Sequence, residues 1–412
     1  MLENDKIIPN YDLILVDEYQ DFNPLEVAFI KLLEKKGNVI IVGDDDQAIY
    51  ENRNSSPKYL RDLFDNKEFE KFELPFCSRC TNAIVKAVNS VIDVSKSLKN
   101  LKGRIDKRFI YFDEDKEKDS IAYPKITAIQ LSTAKLIAKY INKAISKITK
   151  EEIIESYDKD YQTVLIVGQS HYLKKVHEDL RKFYPEIIFN KRSEVEYKLI
   201  DAYRLLLTDD NSNLAWRIIA EIFLDTDVLR DIIIKSLVGT PFKELLEEKF
   251  IKLHMQVIDI IKSINKENNN DDILNLLNEK IPDYFIDVYY YFRSIDESQI
   301  TIDKTKPSIM LTTFKGCKGL SAGHVFIIGA NNGSIPKDVT SIKDIDISEF
   351  IVALSRTRKS CYVISNKWLI SPFAGKKYIL PFSKTIFLDF IPKELINDLG
   401  YRDLKGLKKL VE

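Results

Sequence analysis

Apolar and polar positions along the first 50 residues predict a strand, a helix and a second strand. Residues 13–16 ("LILV") form a continuous apolar run, which is typical of a strand buried on both faces. The letters "NPLE" at 23–26 predict a helix start, with Asn23 as the N-cap and Glu26 in the position of a capping box. The predicted apolar face of this helix comprises Leu25, Ala28, Phe29 and Leu32. Downstream, "NVIIVGD" predicts a second buried strand, and a βαβ unit of this length favours a parallel sheet.

The same two patterns recur along the rest of the chain. "STAKLIAKYINKAISKI" has helical spacing and precedes the strand-like "QTVLIVGQ", while "SIMLTTF", "HVFIIGA" and "CYVIS" are short apolar runs nearer the C-terminus. The charged stretch "KEEIIESYDKD" is interpreted as a solvated loop. Residues 213–297 are richer in helical patterns and predict a helical insertion within the second block. The predicted fold class is therefore α/β, with parallel-sheet domains.

Composition narrows the class of protein. The chain has 412 residues, of which 45% are hydrophobic, so two or three domains are expected, each with its own core. The formal net charge is −1, so any nucleic-acid contact must come from local patches. Four cysteines in a chain of this length do not suggest a disulfide framework. The N-terminus lacks the apolar core of a signal peptide. No apolar run reaches the roughly 20 residues that a membrane-spanning helix needs. We therefore expect a soluble cytoplasmic protein without a membrane segment.

The acidic pair Asp17–Glu18 follows one predicted strand, and Gly43–Asp44 follows the other. Because ligands of parallel sheets bind beyond the carboxyl ends of the strands, we expect these acids to line a site. An aspartate there can hold Mg²⁺, and a neighbouring glutamate can orient or deprotonate a water molecule. By itself, the pattern of four apolar residues followed by two acids is equally compatible with a strand that ends in acids for solubility.

Five ordered motifs remove this ambiguity. They are "VDEYQD", "VGDDDQAIY", "LPFCSRCTNAIVKAVNSVI", "IMLTTFKGCKGLSAGHVFIIGANNGSIP" and "EFIVALSRTRKSCYVIS". In form and order they resemble the motifs of the UvrD/Rep-type superfamily 1 DNA helicases, and the first resembles the Walker B motif of that family. The resemblance covers residues 11–365 and implies RecA-like parallel-sheet domains that hydrolyse ATP and move along DNA.

The resemblance assigns roles around the nucleotide, with ATP and Mg²⁺ as the implied cofactors. Asp17 would bind Mg²⁺, Glu18 would be the catalytic base, and Gln47 would contact the γ-phosphate of ATP. Arg79 and Arg356 would reach the same phosphate from the second RecA-like domain as arginine fingers, an effect worth about 10³–10⁵ in rate in related NTPases. Outside such motifs, arginines are more often surface or salt-bridge residues.

The resemblance also assigns contacts to DNA, single-stranded or partly duplex, held by aromatic stacking and phosphate contacts. Tyr50 and Arg53 match family positions near the bound strand. Thr313 and Lys315 match positions that contact the DNA backbone, with lysine in place of the usual histidine. Asn52 replaces the aromatic residue that usually precedes the arginine, which removes one stacking platform.

Two further features admit more than one interpretation. Cys77 and Cys80 have the CxxC spacing of half a zinc site or of a redox pair, but no second CxxC or histidine pair lies at a matching spacing. The basic run "KSLKNLKGRIDKR" is either a solvated face or a track for a phosphate backbone.

A phosphate-binding loop (Walker A) of the form G-x-x-x-x-G-K-[ST], which such a hydrolase needs, is not found in the sequence. Residues 1–70 are therefore predicted as the C-terminal part of a first RecA-like domain, 71–212 and 298–412 as two segments of a second, and 213–297 as the accessory insertion. The chain is interpreted as a fragment of a longer helicase, as half of a split enzyme whose partner chain supplies the P-loop, or as a non-catalytic nucleic-acid-binding subunit of a repair or defence complex. The intact site residues favour the fragment, and we expect negligible ATPase activity from this chain alone.

Overall fold

The structure, a computed structural model, describes residues 11–50, 54–189, 194–237, 239–263, 303–368 and 382–399. Contacts along the chain divide it into a larger unit, formed by Met1–Asn190 and Lys304–Glu412, and a smaller unit, Lys191–Asp303. Within the described ranges, no helix combines the length and the apolar character needed to cross a lipid bilayer.

The first strands of the larger unit form a two-stranded parallel sheet, called the small sheet below. β1 (Leu13–Val16) pairs with β2 (Asn38–Ile41), and α1 (Pro24–Glu34) connects them, as predicted for a βαβ unit. Asn23 Oδ1 accepts hydrogen bonds from two N–H groups of the first turn, and Glu26 Oε2 accepts one from the Asn23 N–H at 2.8 Å. The predicted capping box is confirmed and fixes the start of α1.

Burial of the small sheet is one-sided, which corrects the expectation of two fully buried strands. Val16 is buried, whereas Leu15 is 71% exposed and Ile40 is 51% exposed. The predicted apolar face of α1 is also wrong, since Leu25 and Phe29 are exposed. The residues of α1 that are buried against the sheet are Val27, Ile30 and Leu33. Because α1 carries apolar residues on two faces, periodicity alone did not decide which face the sheet would cover.

A connecting segment follows the small sheet. Its elements are α2 (Lys58–Asp65), β3 (Phe76–Cys77), α3 (Asn82–Ser97), β4 (Ile110–Tyr111) and α4 (Asp113–Ala122). β3 and β4 pair in parallel. Most apolar side chains of α3 are buried, because this helix is part of the core of the second sheet.

A seven-stranded parallel sheet, called the large sheet below, is the centre of the larger unit. Its strands are β5 (Ile126–Thr133), β6 (Gln162–Val167), β7 (Ile188–Phe189), β8 (Ile309–Thr312), β9 (Ala322–Ile328), β10 (Thr357–Trp368) and β11 (Ile396–Leu399). They pair in the order β11-β5-β10-β9-β6-β8-β7, and every pair is parallel. The predicted α/β class with parallel sheets is confirmed, and the apolar runs named above become β6, β8, β9 and part of β10.

Helices cover both faces of the large sheet. They include α5 (Ala134–Ile145), α6 (Lys150–Asp158), α7 (Ser170–Leu180) and α12 (Asp344–Ser355). Leu165 and Val325 share a core with α3 and α12, while Ile166 and Phe326 share a second core with α5 and α7. Because successive side chains of a strand point to opposite faces, two cores account for the unbroken burial of β9.

The charged stretch predicted as a solvated loop is the helix α6, so that prediction is wrong. Thr149 Oγ1 accepts a hydrogen bond from the Glu152 N–H at 3.2 Å, and Glu152 Oε2 accepts one from the Thr149 N–H at 3.1 Å. Charge density masks this T-x-x-E capping signal in the sequence. Ile153 and Ser156 are buried on the inner side of the helix.

The smaller unit is helical. Its helices are α8 (Glu194–Thr208), α9 (Asn213–Phe223), α10 (Thr226–Ser236) and α11 (Glu248–Ser263). Trp216 is fully buried, and its indole N–H donates to the Asp210 carbonyl oxygen at 2.8 Å. α8 precedes the predicted start of the insertion at 213 and packs on α9 within this unit. The helical pattern "ILNLLNEK" lies outside the described residues.

Candidate nucleotide site and nucleic-acid contacts

The acids that follow β1 and β2 lie at one edge of the small sheet. In the parallel register Val16 pairs with Ile41, so Asp17 and Gly43 leave the sheet on the same side. Both line a cleft of about 890 Å³. A Cβ atom on Gly43 would lie 2.7 Å from Gln20 Oε1 and 2.9 Å from Leu60 Cδ2, so a larger residue there would have to displace these two side chains.

Glu18 forms a salt bridge with a lysine that lies between β8 and β9 of the large sheet. The sequence motifs had given this lysine no role. The backbone of Glu18 is left-handed, with φ 54° and ψ 37°, which is uncommon for a residue other than glycine. Glu18 Oε2 lies 2.9 Å from Nζ of the buried Lys318. The same Nζ lies 2.5 Å from Asp21 Oδ2 and donates to the Gln47 carbonyl oxygen at 3.1 Å. The signal was present in the sequence, because Lys318 is the lysine of "KGL" in the fourth motif.

Gln47 and the two predicted arginine fingers lie along one chain of hydrogen bonds. Gln47 Nε2 donates to Asp44 Oδ2 at 2.8 Å, and its Oε1 accepts from Arg356 Nη2 at 3.4 Å. Arg356 Nη2 also donates to Ser355 Oγ at 2.9 Å, and the Ser355 carbonyl oxygen accepts from Arg79 Nη1 at 3.4 Å. The structure therefore brings these three predicted residues together, although 309 positions separate Gln47 from Arg356.

Arg356, between α12 and β10, is almost fully buried. Its Nε donates to the Val352 carbonyl oxygen at 3.0 Å and its Nη1 to the Leu320 carbonyl oxygen at 3.3 Å. Burial, followed by the positive charge of Arg79, lowers the pKa of Arg356 from its ordinary value. Because both effects disfavour the charged guanidinium, an anion placed beside it would be bound favourably.

The Asp44–Asp46 triplet is paired with cations from the basic run. Arg104 donates two hydrogen bonds to Asp46, at 2.7 and 2.8 Å. Lys107 Nζ lies 2.9 Å from Asp44 Oδ1 and also forms an ion pair with Asp45. These two members of the run are therefore partners of buried acids, which neither sequence interpretation of the run expected.

The same triplet is the one group of at least three metal-ligating side chains found among the described residues. Burial alone would raise the pKa of Asp45, but Lys107 and Arg61 lower it below its usual range. The pKa of Asp46 is raised, mainly by burial. Since three cations already neutralise these acids, the triplet fits a structural ion network better than a metal site.

Asp17 is better suited to hold a divalent cation. It is exposed and lines the cleft, and its Oδ1 accepts the Glu18 N–H at 2.7 Å. No salt bridge to Asp17 is found within the part of the chain that the structure describes. Carboxylate oxygens are ligands that Mg²⁺ prefers, so Asp17 and the neighbouring Glu18 fit the acidic side of a Mg²⁺–nucleotide site.

The predicted DNA-contacting residues that the structure describes lie in one region. Tyr50 Oη donates to the Lys315 carbonyl oxygen at 3.0 Å, and Lys318 Nζ lies 5.6 Å from the centroid of the Tyr50 ring. Thr313 Oγ1 accepts a backbone N–H three residues downstream at 3.1 Å, which closes a turn after β8. Arg53 lies outside the described residues.

Comparison with known proteins identifies relatives of the chain. Residues 4–70 match the family described as UvrD/REP helicase N-terminal domain. ATP-dependent DNA helicase Rep of Buchnera aphidicola subsp. Schizaphis graminum is 28% identical over 472 aligned positions, which cover 96% of this chain and 68% of that protein. DNA helicase II of Escherichia coli is 23% identical, covering 79% of the chain and 51% of the relative. ATP-dependent DNA helicase PcrA of Staphylococcus epidermidis is 25% identical, covering 86% and 53%.

The matched regions include the site described above. The family match at residues 4–70 contains Asp17, Glu18 and Gln47. The chain spans about two thirds of the Buchnera relative and about half of the other two. Over most of its length, the chain is therefore a relative of the UvrD/Rep-type DNA helicases.

Proposed function

We propose that the chain is part of an ATP-dependent DNA helicase that moves along single-stranded DNA, in the 3′-to-5′ direction expected from the family. The observation that carries the proposal is the hydrogen bond between Arg356 and Gln47, because it joins the large sheet to the acidic edge of the small sheet. Two arginines, a glutamine and exposed carboxylates that converge in this way suit a site for a magnesium-bound polyphosphate.

In this proposal each residue of the candidate site has one role. Asp17 would hold Mg²⁺, which neutralises phosphate charge when it is bound. Glu18 would orient the attacking water and accept its proton, and Gln47 would contact the γ-phosphate. Arg356 and Arg79 would stabilise the negative charge that develops on that phosphate. Because these arginines come from the large-sheet side, loss of the phosphate would weaken the attraction between the two sheets and let them separate.

A polypeptide segment outside the 412 residues would supply the phosphate-binding loop, either in the same protein or in a partner chain. Two features, one in the small sheet and one in the connecting segment beside it, support this step. The second edge of β2 pairs with no strand in the described residues, and Ile40 and Val42 are 51% and 47% exposed beside it. Residues 68–75 line the same cleft as β2, and there Phe72 and Leu74 are 79% and 88% exposed. An open strand edge beside apolar residues is a site where another strand can add.

The DNA strand would lie against the loop after β8. Thr313 and Lys315 would contact its phosphates, and Tyr50 and Arg53 would lie near its bases. The contact of Tyr50 with the Lys315 carbonyl oxygen supports a common surface for these residues. Lys318, which donates to the Gln47 carbonyl oxygen and forms a salt bridge with Glu18, would couple that surface to the nucleotide. We also propose a cytoplasmic location, in keeping with four free thiols and a DNA substrate.

The ATPase activity of a fusion protein tests the proposal. The N-terminal segment of the Buchnera Rep relative, which we expect to carry the P-loop, would be joined to this chain, and ATP hydrolysis would be measured with and without a single-stranded oligonucleotide. We expect DNA-stimulated hydrolysis from the fusion and negligible hydrolysis from the chain alone. In the fusion, Arg356→Ala should lower the rate by about 10³-fold or more.

Arg358→Ala is the matched control, because Arg358 lies two positions further on, stacks 4.5 Å from the Tyr161 ring centroid and bonds to Ser321 Oγ. Its rate should stay within about threefold of the unsubstituted fusion, since Tyr161 and Ser321 are not among the residues of the proposed site. Equal losses for Arg356→Ala and Arg358→Ala would contradict the finger role. DNA-stimulated hydrolysis by the chain alone would contradict the need for an external P-loop.

One contact favours the alternative, a non-catalytic nucleic-acid-binding subunit of a repair or defence complex. Lys318 neutralises Glu18, the proposed base, at 2.9 Å. If that contact is permanent, the folded fusion would hydrolyse no ATP. The chain alone would still bind a labelled single-stranded oligonucleotide, and Lys315→Ala would weaken the binding measured by fluorescence anisotropy.

A further inference from the structure

The segment that carries Arg79 also carries two thiols that the proposed ATPase does not use. Cys77 ends β3 and Cys80 lies just before α3, and both are free thiols. Cys80 is 2% exposed, whereas Cys77 is half-buried, so solvent reaches mainly the first cysteine. Within the described residues, neither belongs to a group of metal-ligating side chains. A zinc site therefore lacks its further ligands there.

The surroundings make the two thiols unequal. Interaction with the neighbouring Cys80 thiol lowers the pKa of Cys77 to about 6, helped by backbone N–H groups and opposed by burial. Interaction with Cys77, together with burial, raises the pKa of Cys80 well above its usual range. Burial raises the pKa of both Cys317 and Cys361 to about 12. One accessible thiolate beside one protected thiol is the arrangement of a CxxC pair that reacts at its first cysteine.

We propose that Cys77 and Cys80 form a dithiol that hydrogen peroxide oxidises to a disulfide, and that this modification controls the position of Arg79. The Cys77 thiolate attacks one peroxide oxygen and breaks the O–O bond, which gives a sulfenic acid and a hydroxide that is protonated to water. The Cys80 thiol then attacks the Cys77 sulfur, the S–S bond forms, and the sulfenic oxygen leaves as a second water. Two thiols are oxidised and one peroxide is reduced.

The disulfide would act on both arginines through Ser355. Cys80 Sγ donates to the Ser355 carbonyl oxygen at 3.5 Å, and the same oxygen accepts from Arg79 Nη1 at 3.4 Å. Oxidation removes the Cys80 S–H donor, and the new bond fixes the backbone on both sides of Arg79. Because Ser355 Oγ accepts from Arg356, a shift of Ser355 reaches that guanidinium too. Cys80 is thus a positioning residue for the candidate site.

Peptide mapping of the full chain tests the chemistry directly, because trypsin cleaves after Arg79, between the two cysteines. After peroxide treatment, a non-reducing digest should yield residues 72–79 and 80–86 as one linked species that reduction separates. Before treatment, iodoacetamide at pH 7 should label Cys77 at least about tenfold faster than the other three cysteines. Equal labelling of all four, or oxidation of Cys77 to sulfinic acid without linkage, would overturn the proposal.

Single-cysteine variants assign the roles. Cys77→Ser should abolish peroxide consumption by the pair, whereas Cys80→Ser should leave a sulfenic acid at Cys77 that dimedone traps. Cys361→Ser is the matched control, because this buried thiol should leave the linked species unchanged. A linked species that forms without Cys77 would contradict the assignment.

Hydrogen exchange tests the control of the arginines. Amide exchange over residues 353–358 should change by at least about threefold on oxidation of the wild-type chain and remain unchanged in Cys77→Ser. Unchanged exchange in the oxidised wild type would overturn that part of the proposal. These measurements need neither nucleotide nor DNA, so their outcome is independent of the proposed helicase function.

Discussion

The small sheet and the large sheet are built from similar apolar strands, yet they differ in burial. Residues 163–167 of β6 are buried without a break, whereas Leu15 in β1 is 71% exposed. The large sheet has α3 and α12 on one face and α5 and α7 on the other, while the core of the small sheet contains α1 and α2. A strand is therefore fully buried only when helices cover both of its faces, and the sequence of the strand alone does not show whether they do.

The small sheet and the helix that packs on it both expose apolar side chains to solvent. Leu25 and Phe29 on α1 are exposed together with Leu13 and Leu15 on β1, so both the helix and the sheet present an uncovered apolar face. Such surface is costly in water and commonly marks a place where another polypeptide binds. These exposed residues support, independently of any sequence motif, the proposal that a further polypeptide segment lies beside the small sheet.

The largest expected contrast comes from the same substitution in each sheet. Leu165→Ala removes a fully buried side chain from β6 and should lower the free energy of unfolding by about 3–5 kcal/mol. Leu15→Ala removes an exposed side chain from β1 and should change it by less than about 0.5 kcal/mol. Urea titration monitored by circular dichroism measures both. Equal costs would show that the exposed face of β1 is covered in solution, so that the two sheets do not differ in burial.

A second test removes one cation from the network behind β2. Arg104→Met leaves the buried Asp46 without its two-bond partner, so we expect a loss of about 3 kcal/mol. The lower end of the usual range is expected because Lys107 still lies 3.4 Å from Asp46. Urea titration measures the loss, and Arg108→Met is the matched control, since the Arg108 side chain is 72% exposed and should contribute almost nothing.

Local sequence signals predicted much of this fold. The capping box at Asn23 and the apolar runs of β6, β8 and β9 involve residues close together in the chain, and the structure has these elements where the patterns indicated. The site residues were grouped by motif resemblance, and Gln47 and Arg356 are indeed in contact. Their roles remain predictions.

Other features depended on contacts that no local pattern records. Which apolar face of α1 is buried depends on how the helix packs on the small sheet. The salt bridge of Lys318 to Glu18 joins residues far apart in sequence. The helix α6 was missed because its charged residues concealed a cap at Thr149. Burial of Arg104 could not be read from a run of basic residues, since it requires the acids of another segment.

Acid should destabilise the large sheet through His324. Burial lowers the pKa of this β9 histidine to about 4, while Glu152 opposes the shift and Lys359 supports it. Between pH 6.5 and 4 the unfolded chain therefore binds a proton that the folded chain does not, so stability falls as the pH falls. The loss should reach about 1 kcal/mol between pH 6.5 and 5.5.

Hydrogen exchange of β9 and β10 over this pH range measures the effect within the large sheet. His324→Asn keeps a polar partner for Ser360 Oγ, which lies 2.7 Å from the ring, but it cannot titrate. The variant should therefore flatten the acid dependence. An unchanged slope in the variant would assign the acid sensitivity to other groups of the sheet.

The smallest effect on stability is expected at the uncovered face itself. Leu15→Ser combined with Ile40→Ser should change the free energy of unfolding of the chain by no more than about 0.5 kcal/mol per site, while it lowers the fluorescence of a bound hydrophobic dye. In the fusion with a P-loop segment, the same pair should cost about 1.5–3 kcal/mol per side chain, because that segment would bury the face. An equal, small cost in both proteins would mean that the added segment binds elsewhere, so the exposed face of the small sheet would no longer support the proposed completion of the site.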